Sequence, residues 1–213
     1  MKLYGFSRSS AAFRVRIALN LKGLAYEQVF VHLRRREQEG PEYRAVNPQG
    51  LVPALETDGL TLIQSLPIIE YLDERHPEPP LLPRDPAGRA RARALAAVVA
   101  CDIHPVNNLR VLRYLHRPLG HDEAAIAAWY NHWIETGFRA LEPLLAEGPA
   151  TGSYCHGDMP GLADIALVPQ VVNSERYGLD LAPFPTISRI YDTCMKLDAF
   201  RLAHPSSQPD REA

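Results

Sequence analysis

The 213-residue sequence has few cysteines, little net charge and no long apolar segment. Its three cysteines, Cys101, Cys155 and Cys194, are an odd and widely spaced set, which argues against a disulfide framework. The net charge of −2 gives no reason to expect a nucleic acid or an anionic membrane as a partner. No apolar run approaches the ~20 residues of a membrane span, and the first residues are strand-like rather than typical of a signal peptide. We therefore expect a reducing, cytoplasmic setting.

The first 76 residues alternate strand-like and helical patterns in the order β-α-β-α-β-β-α. Residues 2–6 are strand-like, and the apolar helix that follows them is ended by Lys22-Gly23. Residues 51–64 contain two short strands joined by Asp58-Gly59, which is a strong hairpin signal. A helix with Ser65 as its expected N-cap completes the series. A βαβ unit followed by an antiparallel pair and a helix is typical of a thioredoxin-like domain.

The remainder of the chain is helical in pattern. Proline-rich residues 77–86 predict a stiff linker between two domains. Helices are predicted over 86–116 with an interruption at Pro105, and over 122–146, 161–178 and 185–200. The tail from His204 is too polar and proline-rich to continue the last helix. The predicted fold class is α/β plus all-α, with a thioredoxin-like domain over 1–80 and an all-helical domain over 87–213.

Ser9 and Ser10 stand where the first helix begins, with Arg8 before them. Each serine can be a plain N-cap, which is the more common role of such a residue. A serine hydroxyl at a helix N-terminus can also donate a hydrogen bond to a thiolate, and the helix end adds to this stabilisation. A free thiol with a pKa of about 8.5 is only a few per cent ionised at neutral pH, so such help matters for reactivity.

Two further segments also have both a purely structural and a ligand-binding interpretation. Pro53 after Val52 can simply begin a strand, or a cis bond at this point can aim the preceding backbone outward. Gln64 and Ser65 can be an ordinary helix start, or their free N–H groups and hydroxyl can bind a carboxylate at the positive helix end. The three segments become informative through their order along one chain.

The sequence resembles the zeta-class glutathione transferases over nearly its whole length. The motifs that carry the resemblance are RSSAAFRVRIAL (8–19), NPQGLVPAL (47–55), IQSLPIIEYL (63–72), IHPVNNLRVL (103–112), LADIALVPQVVNSERYGLDL (162–181) and AFRLAHPSSQPD (199–210). The resemblance implies a glutathione-dependent cis–trans isomerase that converts a maleyl keto acid, maleylacetoacetate or maleylpyruvate, to its fumaryl isomer. It also implies a homodimer.

The resemblance also implies roles for individual residues. Ser9 orients or activates the glutathione sulfur, with Ser10 beside it, and the backbone of Val52 binds the peptide. Gln64 and Ser65 hold the γ-glutamyl end of glutathione. His104 and Asn108 match family positions contributed by the helical domain, and on one helix they could share a face. His104 can equally be a core histidine with satisfied hydrogen bonds.

A maleyl substrate carries two carboxylates, so the resemblance directs attention to arginines. Arginine binds carboxylates through bidentate, permanently charged contacts. Arg8, Arg110 and Arg176 are the candidates, although on a continuous helix Arg110 would point away from His104 and Asn108, and Arg176 can equally be a solvated surface residue. Arg16 fits a polar stripe that recurs with Asn20 on the first helix.

Arg14, by contrast, is interpreted as a structural ion-pair partner.

The sequence departs from the family pattern at two positions. Ala11 replaces the cysteine of the usual Ser-Ser-Cys triplet, so a mechanism that needs a protein thiol there is excluded, whereas one that uses the sulfur of glutathione is not. Gly161 replaces the Ser or Thr that forms a capping box with Asp164. We expect this second change to cost a few tenths of a kcal/mol of stability.

Two other functions remain open from the sequence. A broader transferase would conjugate glutathione to halogenated acids or other electrophiles, and would consume it. A non-enzymatic interaction module would keep the fold without the chemistry. No metal site is expected, because Cys101 and His104 lack further ligands nearby in the sequence.

Overall fold

The structure is a computed structural model that describes residues 1–211. It consists of two compact units. The first contains Met1–Leu81 together with the segment from Met195 onward, and the second contains Leu82–Cys194. The sequence predicted a different division, with residues 87–213 in a single helical domain. The last two residues of that predicted domain lie outside the described part of the chain.

The first unit has a four-stranded sheet with strand order β2-β1-β3-β4. β1 pairs with β2 in parallel and with β3 antiparallel, and β3 pairs with β4 antiparallel. The predicted thioredoxin-like pattern is confirmed. The elements are β1 (Lys2–Gly5), α1 (Ser10–Leu21), β2 (Glu27–Phe30), α2 (Pro41–Val46), β3 (Ala54–Thr57), β4 (Leu60–Ile63) and α3 (Ser65–Arg75), with 3-10 turns at Leu33–Arg35 and Glu37–Glu39.

Local sequence accounts for most of these boundaries. Asp58 and Gly59 both have positive φ, 51° and 74°, as a tight two-residue hairpin turn requires. Gly5 allows β1 to approach α1 closely, since a Cβ at this position would lie 3.2 Å from the Cβ of Ala12. The apolar majority of α1 is buried, as the sequence predicts.

The expected polar stripe of α1 is the contact surface for the end of the chain. Arg16 is only 2% exposed, and its Nε donates to the carbonyl oxygen of Ala203 at 3.0 Å. One turn later, Asn20 donates to the carbonyl oxygen of Ala199 at 3.0 Å. These two carbonyls belong to a short helix, α9 (Asp198–Ala203). The contacts explain why the C-terminal segment belongs to the first unit.

The second unit is helical throughout its named elements. It comprises α4 (Pro86–Ala97), a π-helical segment (Val98–Ile103), α5 (Leu109–His116), α6 (Glu123–Ala146), α7 (Leu162–Arg176) and α8 (Pro185–Cys194). The prediction of a single helix over 185–200 is wrong. The helix α8 ends at Cys194, and a separate helix, α9 (Asp198–Ala203), follows in the first unit. A 3-10 turn, Pro205–Ser207, follows α9.

Gly161 is the N-cap of α7, so half of the usual capping box is missing. The carboxylate of Asp164 supplies the other half, since its Oδ2 accepts from the backbone N–H of Gly161 at 2.9 Å. Its Oδ1 accepts from the N–H of Cys155 at 2.8 Å. Burial nevertheless raises the pKa of Asp164, and these hydrogen bonds oppose the rise. Within residues 1–211, no helix has the length and apolar character that crossing a membrane requires.

Candidate functional site

Three segments predicted to bind glutathione leave or enter the sheet at the same edge. The register aligns Tyr4 of β1 with Ala54 of β3, and Ala54 with Ile63 of β4. Because β3 runs antiparallel to its neighbours, the end of β1, the start of β3 and the end of β4 lie side by side. The segments that carry Ser9, Val52 and Gln64 therefore meet at this edge of the first unit.

Ser9 is the N-cap of α1. Its backbone is extended, and its hydroxyl oxygen accepts a hydrogen bond from the N–H of Ala12 at 3.2 Å. Among the described residues the hydroxyl makes this one hydrogen bond, as an acceptor, so its own hydrogen can be donated to a ligand. Ser9 is partly exposed, whereas Ser10 is the first helical residue and is buried. Arg8, immediately before Ser9, is partly exposed as well.

Side-chain hydrogen bonds fix the backbone of the turn before β3. The Val52–Pro53 peptide bond is cis, and β3 begins at the next residue, Ala54. The carbonyl oxygen of Leu51 accepts hydrogen bonds from the hydroxyl of Tyr43 and the amide of Asn47, each at 2.7 Å. Asn47 is 1% exposed, and its side-chain oxygen also accepts from the N–H of Gln49 at 3.0 Å. These contacts fix the backbone that leads into Val52.

Gln64 has an unusual backbone conformation at the start of α3. Its φ is 70° and its ψ is 127°, a combination that costs a residue with a side chain of order 1–3 kcal/mol. Such strain is concentrated at functional sites in proteins. Gln64 is exposed, and its amide donates to the side-chain oxygen of Gln49 at 2.9 Å. Gln64 is the N-cap, so the prediction that Ser65 caps this helix is wrong by one residue.

Ser65 is instead the first residue of α3 and is 6% exposed. Its hydroxyl oxygen accepts a hydrogen bond from Nη1 of Arg14 at 3.3 Å. Arg14 extends from α1 and is itself 2% exposed. The sequence identified Arg14 only as an ion-pair partner and missed its contact with a predicted site residue. Asn47 and Tyr43 were also missed, although Asn47 begins one of the motifs that carried the family resemblance.

The second unit holds the other predicted residues. His104 is the C-cap of the π-helical segment, and a turn separates it from α5. Asn108 is the N-cap of α5, where its side-chain oxygen accepts from the N–H of Arg110 at 3.1 Å. His104 and Asn108 therefore do not share the face of one helix, and the interruption predicted at Pro105 is confirmed. Arg110 lies in the first turn of α5 and is exposed.

Arg176 ends α7 beside an aromatic pair. Its guanidinium carbon lies 5.9 Å from the centre of the Tyr177 ring, and this ring stacks on Tyr130 with centres 3.7 Å apart. Asn131 donates to the carbonyl oxygen of Tyr177 at 3.1 Å, which helps to fix the residue after Arg176. Arg176 is exposed, so its charge can reach an anionic ligand.

The thiols of the chain are placed away from the Ser9 segment in sequence, and two of them are buried. Burial raises the pKa of Cys155, and the nearby carboxylate of Asp164 raises it further. The pKa of Cys194 is raised by the same two causes. Cys101 is exposed. Across residues 1–211, no three His, Cys, Asp or Glu side chains are grouped closely enough to hold a metal ion.

Comparisons with known proteins agree with the fold. Residues 3–80 match the family described as glutathione S-transferase, N-terminal domain. The chain is 55% identical to maleylpyruvate isomerase of a Ralstonia species over 99% of each sequence. It superposes with a TM-score of 0.98 and 54% identity on a holo structure of maleyl pyruvate isomerase, described as a bacterial zeta-class glutathione S-transferase, over the whole of both chains.

A second solved structure is maleylacetoacetate isomerase of Methylobacterium extorquens AM1 with bound malonate and glutathione. The chain matches it with a TM-score of 0.97 and 46% identity, again over the full length of both chains. Identity at this level over complete chains establishes more than a shared fold. The chain belongs to the zeta class of glutathione S-transferases, the family of the maleylpyruvate and maleylacetoacetate isomerases.

Proposed function

We propose that the chain catalyses the glutathione-dependent cis–trans isomerisation of a maleyl keto acid to its fumaryl isomer. The observation that carries the proposal is the register of the sheet, which brings the segments of Ser9, Val52 and Gln64 to one edge. These are the three segments that the family resemblance assigns to glutathione. The high sequence identity to relatives that are isomerases of this kind supports the same proposal.

The residues present fit glutathione. The strained N-cap at Gln64 exposes the N-terminus of an eleven-residue helix, which suits the γ-glutamyl carboxylate. Ser65 adds a hydroxyl that Arg14 orients. The backbone of Val52, set by the fixed turn before β3, is the proposed partner of the peptide. The relative from Methylobacterium extorquens was solved with glutathione bound, which agrees with this assignment.

Bound glutathione would supply the sulfur that adds to the conjugated double bond and leaves again after rotation about the resulting single bond. Ser9 donates its hydroxyl hydrogen where that sulfur lies, which lowers the thiol pKa. The N-terminus of α1 adds its positive end, and Ser10 supports the same turn. Ala11 has no sulfur to compete in this reaction.

The substrate carries two carboxylates, which require positive charge. The proposed carboxylate ligands are Arg8, Arg110 and Arg176, which are all exposed or partly exposed. His104 and Asn108 are proposed to contact glutathione. The malonate in the relative is itself a dicarboxylate, which supports an acidic substrate of this size.

A homodimer in the cytoplasm completes the proposal. The edge strand β4 exposes Leu60 to 48% and Ile63 to 38%, and these apolar side chains are suited to burial against a second copy. The three cysteines are free thiols, as expected in the reducing setting that glutathione chemistry needs.

The test is a parallel assay of maleylpyruvate and maleylacetoacetate with glutathione present in catalytic amounts. We expect complete conversion to the fumaryl isomer with the glutathione recovered unchanged, and higher kcat/KM for maleylpyruvate, because the 55% identical relative is a maleylpyruvate isomerase. Isomerisation that persists after removal of all thiols would contradict the proposal. Stoichiometric loss of glutathione into a stable thioether would identify a conjugating transferase instead.

A further inference from the structure

The end of the chain is bound to the segment that precedes Ser9. We define residues 204–211 as the C-terminal strap. Within it, Oδ2 of Asp210 accepts a hydrogen bond from the backbone N–H of Ser7 at 2.9 Å. The Ser7 hydroxyl donates to the backbone carbonyl oxygen of Asp210 at 3.2 Å. Ser7 is 1% exposed and Asp210 is partly exposed, so these bonds are partly shielded from water.

The carbonyl groups of the same segment are held from the other side by Arg16. Its Nη2 donates to the carbonyl oxygen of Ser7 at 3.0 Å, and its Nη1 to that of Phe6 at 3.4 Å. Burial lowers the pKa of Arg16 to about 10, and Tyr26 and Asp210 oppose this fall, so the guanidinium stays protonated at neutral pH. The N–H and the C=O of Ser7 thus have separate, oppositely charged partners.

The strap has an anchor that is independent of Asp210. Gln208 is 3% exposed, and its amide nitrogen donates to the carbonyl oxygens of Leu202 and His204. Its side-chain oxygen accepts from the amide of Gln28 on β2 at 3.0 Å. The tether of the strap to the sheet can therefore be weakened at Gln28 without removing the contact to Ser7.

Little space surrounds the Ser7–Asp210 contact. The cavity lined by Ser7, Arg16, Gln28 and Asp210 has a volume of about 10 Å³, which suffices for one water at most. If the Asp210 carboxylate were removed, a water could satisfy the N–H of Ser7. It could not hold this backbone in place, because it lacks the covalent connection to the anchored strap.

We propose that Asp210 is a positioning residue for Ser9, acting through the Ser7 backbone to place the Ser9 hydroxyl at the glutathione sulfur. Ser7 lies two residues before Ser9, and the N–H of Ser9 donates to the carbonyl oxygen of Phe6, which Arg16 also holds. A misplacement of about 1 Å at a reacting group can cost ~10²-fold in rate. The inference rests on the proposed function, because it assumes that Ser9 acts on the sulfur.

Two variants separate the position of the acceptor from its charge. Asp210→Asn keeps an oxygen that can accept from Ser7 but removes the charge beside Arg16. Asp210→Glu keeps the charge but displaces the acceptor by one methylene group. Asp210→Ala removes both, and Gln28→Ala weakens only the tether of the strap. The readouts are kcat, KM, the pH midpoint of thiolate absorbance in the glutathione complex, and hydrogen exchange of the Ser7 amide.

We expect kcat to fall by roughly tenfold or more in Asp210→Ala and by about fivefold in Asp210→Glu, and to stay within about twofold of wild type in Asp210→Asn and Gln28→Ala. The thiolate midpoint should rise, and the Ser7 amide should exchange faster, in the Ala and Glu variants alone. Between the two variants that keep an acceptor, thermal stability should follow the opposite order, with Asp210→Asn less stable than Asp210→Glu, because only Asp210→Asn removes the negative charge near Arg16.

A kcat in Asp210→Glu at or above that of Asp210→Asn would overturn the inference, and this comparison holds even if Asp210→Ala does not fold. An equal loss of kcat in Gln28→Ala would also overturn it, because the strap would then act only as a general tether. The two possible failures are separable. An inactive wild type contradicts the proposed function, whereas an active wild type with unaffected Asp210 variants contradicts only the positioning role.

Discussion

The guanidinium of Arg14 donates a hydrogen bond to the hydroxyl oxygen of Ser65 across 3.3 Å. Both side chains are almost fully buried, so the contact orients the Ser65 hydroxyl from beneath the N-terminus of α3. We expect Ser65→Ala to raise KM for glutathione by about tenfold with little change in kcat, because it removes the hydroxyl that is proposed to bind the γ-glutamyl end. Steady-state kinetics with glutathione as the varied component measures this effect.

The same substitution should lower the free energy of unfolding by about 1–3 kcal/mol, since the buried guanidinium of Arg14 loses this hydrogen bond. Ser188→Ala is the matched control. The Ser188 hydroxyl of α8 donates to the carbonyl oxygen of Phe184, the residue just before this helix, four residues back as helical serines commonly do. We expect this control to change stability by less than about 0.5 kcal/mol. An equal rise in KM in both variants would contradict the role of Ser65.

Ser9 caps α1 and is proposed to donate a hydrogen bond to the glutathione sulfur, and glycine separates the two roles. Glycine is a tolerated N-cap that costs only a few tenths of a kcal/mol, whereas alanine costs about 1 kcal/mol. Both substitutions remove the hydroxyl. We therefore expect Ser9→Gly and Ser9→Ala to lower kcat by a similar factor, about 10- to 100-fold, which corresponds to one charge-assisted hydrogen bond of roughly 1.5–3 kcal/mol. Only Ser9→Ala should unfold appreciably earlier in denaturant.

The control for capping alone is Asp122, the N-cap of α6. Its carboxylate accepts from the N–H of Ala125 at 2.8 Å. Asp122→Ala should lose about as much stability as Ser9→Ala and keep its kcat. A kcat in the two Ser9 variants that tracked their stability, instead of falling equally, would assign Ser9 to the helix and not to the reaction.

We expect replacement of Gln64 by glycine to increase stability and to weaken glutathione binding. Glycine adopts a positive φ without a steric penalty, so Gln64→Gly relieves backbone strain of order 1–3 kcal/mol, less the greater entropy that glycine loses on folding. We expect a net stabilisation of about 1 kcal/mol in chemical denaturation. Loss of the amide should raise KM for glutathione by several-fold.

Gln49→Ala controls for the side-chain contact of Gln64. It removes the partner of the Gln64 amide but leaves the backbone at residue 64 unchanged. Its stability should stay within about 0.5 kcal/mol of wild type. If Gln49→Ala were stabilised as much as Gln64→Gly, relief of strain at Gln64 would not be the cause.

The sequence predicts those features of the first unit that depend on local chemistry. Asp58-Gly59 specifies its turn through the left-handed conformation that both residues adopt. The helix start at Ser9 follows from capping preferences alone. The sequence did not predict that Gln64, and not Ser65, is the N-cap of α3. A glutamine rarely adopts a positive φ, so no residue preference indicates this conformation.

Several of the contacts that sequence reasoning missed join residues that are distant along the chain. Arg16 recurs with Asn20 at helical spacing, which resembles a polar stripe, yet its partner carbonyl belongs to Ala203. Periodicity reports which residues share a face and not what covers that face. The same limit applies to His104 and Asn108, whose spacing fits one helix although the chain turns between them.

The buried cysteines lead to a prediction about the source of the reactive sulfur. Burial and the nearby Asp164 carboxylate raise the pKa of both Cys155 and Cys194, so neither thiol forms the reactive thiolate near neutral pH. We expect iodoacetamide at pH 8 to alkylate Cys101, the exposed thiol, and to leave the other two unmodified in the folded protein. Mass spectrometry of the digested protein identifies the labelled sites.

The Cys101→Ala variant makes this test decisive for the mechanism. After treatment with excess iodoacetamide, removal of the reagent and addition of fresh glutathione, we expect full isomerase activity, because no protein thiol takes part. Since Ala11 stands where the family usually has cysteine, the result would assign the reacting sulfur to glutathione alone. Inactivation of Cys101→Ala together with labelling of Cys155 or Cys194 would instead show that a buried thiol becomes accessible and contributes to the reaction.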